Sequence, residues 1–138
     1  MSQQSGLEPF ARRCVVAGAL LALAGVVLGA VGSHLLESRL TAHQFASYQT
    51  GVLYHLLHAL GLLLVGLLGQ ASGATPWLRG SARLMLLGIV CFSGSIYLMT
   101  AGAPRWLGMI APVGGLSFMG AWILLAWHAV AASHSGRT

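Results

Sequence analysis

Two imidazoles one helical turn apart, His55 and His58, open the run "YHLLHALGLLLVGLLG" at positions 54–69, which is otherwise built almost entirely from Leu, Gly, Ala and Val. Imidazoles inside an apolar helix serve as metal ligands, relay groups or interhelical hydrogen bonders. With His34 they offer two metal geometries: a haem held axially by His34 and His58, or zinc or copper held by His34, His55 and His58. No Asp, Glu or Cys stands beside these rings to orient them as ligands, so no cofactor is predicted. A small-molecule or lipid site is the second possibility, with His58 and Tyr97 as polar contacts. The third is structural, with His34, His58, Tyr97 and neighbouring serines bonding across helices. Catalysis finds no support, because G-x-S-x-G, H-E-x-x-H, a Walker loop and an acid/base carboxylate pair are all missing. Ser93 and Ser95 of "SGS" lack an orienting acid. Proton-coupled export is disfavoured because Glu8 and Glu37, the only acids, flank the apolar runs, although a relay through His58 stays open.

The elements that position these groups follow from composition. A mean hydropathy of +0.80, with 57% apolar and 7% charged residues, belongs to an integral membrane protein. A hydrocarbon core of about 30 Å takes roughly 20 helical residues. Four stretches approach that length, at about 14–36, 51–69, 82–101 and 106–130, and they fill the chain as one all-α membrane domain, a four-helix bundle over residues 1–138. The first stretch is longer than a signal-peptide core. Arg12, Arg13, Arg79, Arg83 and Arg137 fall on one side and only Arg39 and Arg105 on the other, so the charge bias predicts an N-in, C-in orientation in a bacterial cytoplasmic membrane. The arginines form no nucleic-acid face. Trp77, Trp106 and Trp127, together with Tyr48, fall near span ends as an aromatic belt. Cys14 and Cys91 lie at different depths and do not pair.

Local signals refine this frame. "TAHQ" at 41–44 reads as a capping box and predicts a short outer-surface helix over about 42–50, or an extension of the second span. Gly25, Gly29 and Ser33 make a small-residue stripe with G-x-x-x-G at its centre, a packing face within the chain or in a homo-oligomer. Pro112 is expected to break the fourth span, softened further by Gly114 and Gly115. Counting about 1.5 Å per residue, His34, Tyr54, His58, Ser93, Ser95, Tyr97 and Ser117 all fall in the outer half, and the inner half reads as aliphatic. His128 is placed too far inward to join them, and His43 and His134 are expected in solvent.

The same stretches carry a family resemblance. "LGAVGSH" (28–34), "QTGVLYHLLHALG" (49–61), "CFSGSIYLMTAG" (91–102) and "APVGGLSFMGAW" (111–122) resemble the four signature segments of the YgdD family of small four-helix inner-membrane proteins, a domain of unknown function with a small vertebrate transmembrane relative. The resemblance implies a multi-pass bundle and supplies no activity. It places His34 and His58 on family-type histidine positions. His55 stands where a Gln is expected, and Val31 replaces the usual Phe, which sets the His55/His58 pair apart as a feature of this chain. The resulting expectation is a non-catalytic accessory or scaffold subunit, or a bundle that binds a lipid or small molecule. The competing class is a haem- or metal-binding redox protein, with a small transporter behind it. Its partners are the bilayer and other membrane subunits or copies of itself.

Overall fold

The computed structural model describes residues 6 to 135, with side chains as far as residue 132, so Arg137 and the side chain of His134 lie outside it. Helix α1 (Pro9–Val31) begins five residues before the apolar run does. Glu8 is the reason: its carboxylate accepts from the Phe10 and Ala11 amides at 3.0 and 3.3 Å, and Pro9 needs no N–H partner in the first turn. The span continues through a π turn, Gly32–Leu36.

Helix α2 (Ala42–Ser72) starts with the capping box read from the sequence, the Thr41 amide donating to Gln44 and the Gln44 amide to Thr41 Oγ1 at 3.3 Å. Residues 42–50 are the first turns of this one unbroken helix. Its 31 residues make about 46 Å at 1.5 Å each, so more than one turn stands beyond a hydrocarbon core of about 30 Å. Gly73, at φ +81°, turns the chain, a conformation open to glycine at little cost. Thr75 then caps α3 (Pro76–Gly88), which runs through a second π turn, Ile89–Ser93, into α4 (Gly94–Thr100). After a 3₁₀ turn, Arg105–Met109, helix α5 (Ala111–Ser135) returns.

Four helical stretches long and apolar enough to cross a membrane result: Pro9–Leu36, Ala42–Ser72, Pro76–Thr100 and Arg105–Ala132. The N-termini of α1 and α3 share one end of the bundle, called here the terminal end; the 36–42 and 100–105 connections mark the distal end. Pro112 does not break a helix midway. It occupies the second position of α5, where a first-turn residue has no intrahelical partner to lose, and the real discontinuity is the 3₁₀-to-α junction at Ile110.

Helix α1 packs on α2, while α3 packs on α5 and on α2. Cys14, Leu62, Val65, Leu78, Ala82, Met85, Ala121 and Leu125 form the core, and Cys14 and Cys91 are free thiols. On α1 the close face repeats every seventh residue, Ala11, Gly18, Gly25, Gly32. A Cβ on Gly18 would lie 2.9 Å from the Ala59 carbonyl oxygen, one on Gly25 2.6 Å from Leu56 Cδ2, and one on Gly32 2.6 Å from the Tyr48 ring. This corrects the stripe read from the sequence. Gly25 belongs to the seam, but a Cβ on Gly29 would make an ordinary 3.5 Å contact with Val52, and Ser33 is exposed. The period is 7 because α1 contacts a single long antiparallel neighbour, and a 3.5-residue repeat keeps one stripe on one partner.

Candidate functional site: a buried polar layer between spans

Near the middle of α2, His58 is 2% exposed and has both ring nitrogens engaged. The Trp122 indole N–H of α5 donates to His58 Nε2 at 3.0 Å, and His58 Nδ1 faces the Tyr54 carbonyl at 2.7 Å. An indole N–H only donates and a carbonyl only accepts, so the contacts assign the neutral tautomer with the proton on Nδ1. The ring lies flat on Phe118, with centroids 3.4 Å apart, and Tyr54 stacks beyond it at 5.9 Å. Tyr54 itself is 38% exposed, an aromatic lid packed on Phe92 and Phe118.

One turn toward the distal end, His55 is buried on the seam between α1 and α2. Its Nδ1 lies 3.1 Å from the Tyr97 hydroxyl of α4, and the Tyr97 ring sits 5.5 Å from Tyr48. The Tyr48 hydroxyl donates to the Leu28 carbonyl of α1 at 2.7 Å, tying three spans together. His55 Nε2 has no hydrogen-bond partner; the Leu21 carbonyl is its polar neighbour, outside bonding geometry.

Of the three serines read from the sequence, one bonds across spans and two within their own helices. Ser93 donates to the Gly51 carbonyl across the α2 interface at 2.7 Å, Ser95 to Phe92 at 2.9 Å and Ser117 to Val113 at 2.8 Å. Ser93 bonds at the π turn, where the widened helix brings its hydroxyl against α2. Of the two small residues in "GG", Gly114 is required, since a Cβ there would collide with the Phe92 backbone; Gly115 faces open space.

His34 does not join the layer. It is exposed in the π turn at the distal end of the first span, away from His58, because the underlying close face runs through Gly25 and Gly32. His34, His55 and His58 therefore do not converge on a metal, and no group of three or more His, Cys, Asp or Glu suited to a metal ion occurs among the described residues. The His58 donor set is already filled by Trp122 and Tyr54, which disfavours both the haem and the zinc or copper geometries. The two clefts at the terminal end, of about 370 and 360 Å³, are not lined by His58 or Tyr97.

Two participants went unread in the sequence, Trp122 and Phe118, and Tyr48 was read only as a residue of the aromatic belt. Trp122 carried a signal, because it is the one tryptophan of four that is remote from a span end, and an indole N–H in mid-membrane needs an acceptor. The terminal end is not purely aliphatic either. His128, 5% exposed, lies 3.2 Å from Ser72 Oγ and 3.0 Å from Thr75 Oγ1. Ser72 donates to the Leu68 carbonyl, which leaves its oxygen to accept from His128 Nε2–H, while the Thr75 hydroxyl donates to Nδ1. Ser81 adds a bond to the Ala121 carbonyl at 2.9 Å.

Four long apolar helices, polar groups turned into the interior and lipid-facing sides rich in Leu and Val define a polytopic α-helical membrane protein. Within that class the chain belongs to the family described as "Protein of unknown function (DUF423)", whose model matches residues 28–115. It is similar to the UPF0382 membrane protein YwdK of Bacillus subtilis strain 168, 39% identical over 116 residues that cover 84% of this chain and 94% of that one. It is also similar to the UPF0382 inner membrane protein YgdD of Escherichia coli strain K12, 33% identical over 111 residues that cover 80% and 84% of the two chains. No solved structure matches. The resemblance to the YgdD family thus holds, and with it a multi-pass inner-membrane location; the family carries no named enzymatic activity.

Proposed function

We propose that this chain is a non-catalytic scaffold of the bacterial cytoplasmic membrane, an accessory subunit whose histidines lock helices together. The observation that carries this reading is His58: both its nitrogens are committed inside the bundle, to Trp122 and to Tyr54, under a stacked Phe118. Nothing is left on that ring to offer a metal, a substrate or a migrating proton without breaking one of these two hydrogen bonds. The N-in, C-in orientation draws its support from Arg12, Arg13, Arg79 and Arg83 at the terminal end against Arg39 and Arg105 at the distal end.

The test is a UV–visible spectrum with metal analysis on protein purified from its native membrane in mild detergent, alongside identification of co-purifying membrane proteins. A colourless, metal-free protein that retains a stoichiometric partner is expected. A Soret band, or stoichiometric metal lost in His34→Ala and His58→Ala, overturns the reading in favour of a redox protein.

A further inference from the structure

At the terminal end, α1 and α3 diverge and leave a cleft of about 370 Å³ between their first turns. Its rim carries Arg13, Arg79 and Arg83; its floor is apolar, made by Cys14, Ala17, Leu62, Ala82 and Leu86. The three guanidiniums come from two different spans, and Arg79 and Arg83 stand at i, i+4 on one face of α3. Among the described residues none of the three guanidiniums has a hydrogen bond or an ion pair. Glu8 also lines the cleft, but its carboxylate is held by the Phe10 and Ala11 amides at the cap of α1. Glu8 keeps its charge there, so three guanidiniums stand against one carboxylate and the rim is a net positive cradle.

Depth and shape narrow what fits. Arg13 and Arg79 lie about one turn into their helices and Arg83 about two, the level at which a span leaves headgroups for hydrocarbon. Leu62 and Cys14 are buried beneath, while Leu86, Leu87 and Val90 continue along the lipid-facing side of the third span. A ligand that matches must put a phosphate against arginines and an alkyl chain along Leu86. Arginine is suited to the first part, since its planar fork binds phosphate oxygens in pairs. A basic recess between spans at the headgroup level is the geometry of a site for an anionic lipid.

We propose that this cleft is a binding site for one anionic phospholipid, with the phosphodiester held by Arg13, Arg79 and Arg83 and an acyl chain along Leu86. The proposal goes beyond the scaffold reading and does not depend on it, because a purely structural bundle needs no lipid of a given charge. Native mass spectrometry of the full chain in a neutral detergent, titrated with phosphatidylglycerol or phosphatidylcholine, tests it. Wild-type protein is expected to retain phosphatidylglycerol in preference to phosphatidylcholine. Each Arg→Gln change at Arg13, Arg79 or Arg83 should weaken retention about five-fold. R12Q, on the same helix but outside the cleft, should leave it unchanged. Melting temperatures in lipid-free detergent should match across these variants, since all four arginines are exposed.

Three results overturn the site: equal retention of the two lipids, equal loss in R12Q and R79Q/R83Q, or displacement of phosphatidylglycerol by millimolar inorganic phosphate, which would mark a free-anion site. Preferential capture of an acidic peptide or an acidic partner subunit over phosphatidylglycerol overturns it as well. A haem spectrum, which would end the scaffold reading, leaves these lipid results untouched.

Discussion

His58 near the middle of the bundle and His128 at its terminal end face the same problem, a buried imidazole with two nitrogens to satisfy, and use different materials. In mid-membrane the partners are a tryptophan N–H and a backbone carbonyl of the same helix, sealed by Phe118 and Tyr54. At the end they are two hydroxyls, Ser72 and Thr75, each also engaged in finishing or starting a helix. The difference follows from water. An indole N–H that lacked His58 would have no substitute donor or acceptor, whereas His128 borders a cleft lined by Ser72, Thr75 and Trp77 that admits solvent. One node holds helices that have nowhere else to bond; the other braces a turn, joining α5 to the hinge between α2 and α3.

The largest expected effect tests whether the middle layer is as closed as this contrast requires. A methyl group at Gly114 would collide with the backbone of Phe92, which carries one side of the aromatic lid, and backbone cannot swing aside as a side chain does. Gly114→Ala should cost about 3 kcal/mol, as overpacking does at its upper range. Unfolding in a graded detergent mixture is the measurement, and a wild-type-like midpoint would mean that the α3–α5 contact is loose.

Next in size, His58→Ala removes a packed ring and leaves the Trp122 N–H unpaired in hydrocarbon. A loss of about 2 to 3 kcal/mol is expected from the cavity and the orphaned donor together. Trp122→Phe leaves the cavity closed and should cost about 1 kcal/mol, within the range for one interhelical bond. If both variants cost the same, the hydrogen bond and not the stacking dominates the node. His128→Ala should cost less than His58→Ala, under about 1 kcal/mol, because water can reach Ser72 and Thr75 through the adjoining cleft. An equal loss at the two histidines would erase the distinction between a sealed layer and a braced turn.

How much of this was legible in the sequence depended on whether a feature is local. Span number and the Thr41/Gln44 capping box follow from hydropathy and a local motif, and the structure has both. The polar groups do not share one level, since Tyr97 meets His55 and Ser93 the Gly51 carbonyl, one and two turns from His58. Span starts were read late at Pro9 and Pro76, because hydropathy ignores the caps Glu8 and Thr75 that extend a helix past its apolar run. Partner choice was not legible at all. That His58 takes Trp122 rather than His34 depends on which face of α2 meets α5. The apolar residues around α2 give no strong face to the eye, since lipid and core are equally greasy. The same ambiguity led to reading Gly25, Gly29 and Ser33 as one stripe.

That stripe supplies the smallest and most discriminating change. Along α1 the glycines that α2 approaches are seven apart, and Gly29 lies between two of them with a Cβ-sized gap already available, 3.5 Å from Val52. Gly29→Ala should therefore be neutral within about 0.5 kcal/mol or slightly stabilising, since Ala is the better helix former by up to about 1 kcal/mol. Gly25→Ala, where the added methyl would meet Leu56 Cδ2 at 2.6 Å, should be destabilised in the same assay. A reversal of this order would mean that the i, i+4 stripe, not the heptad, is the close-packed face. Because Gly29 is half-exposed and Ser33 exposed on the single chain, such a face would pack against a second copy or another subunit and not within the bundle. Measured together with the detergent-solubilised mass, the pair of glycine variants thus decides between a seam inside the bundle and an interface between bundles.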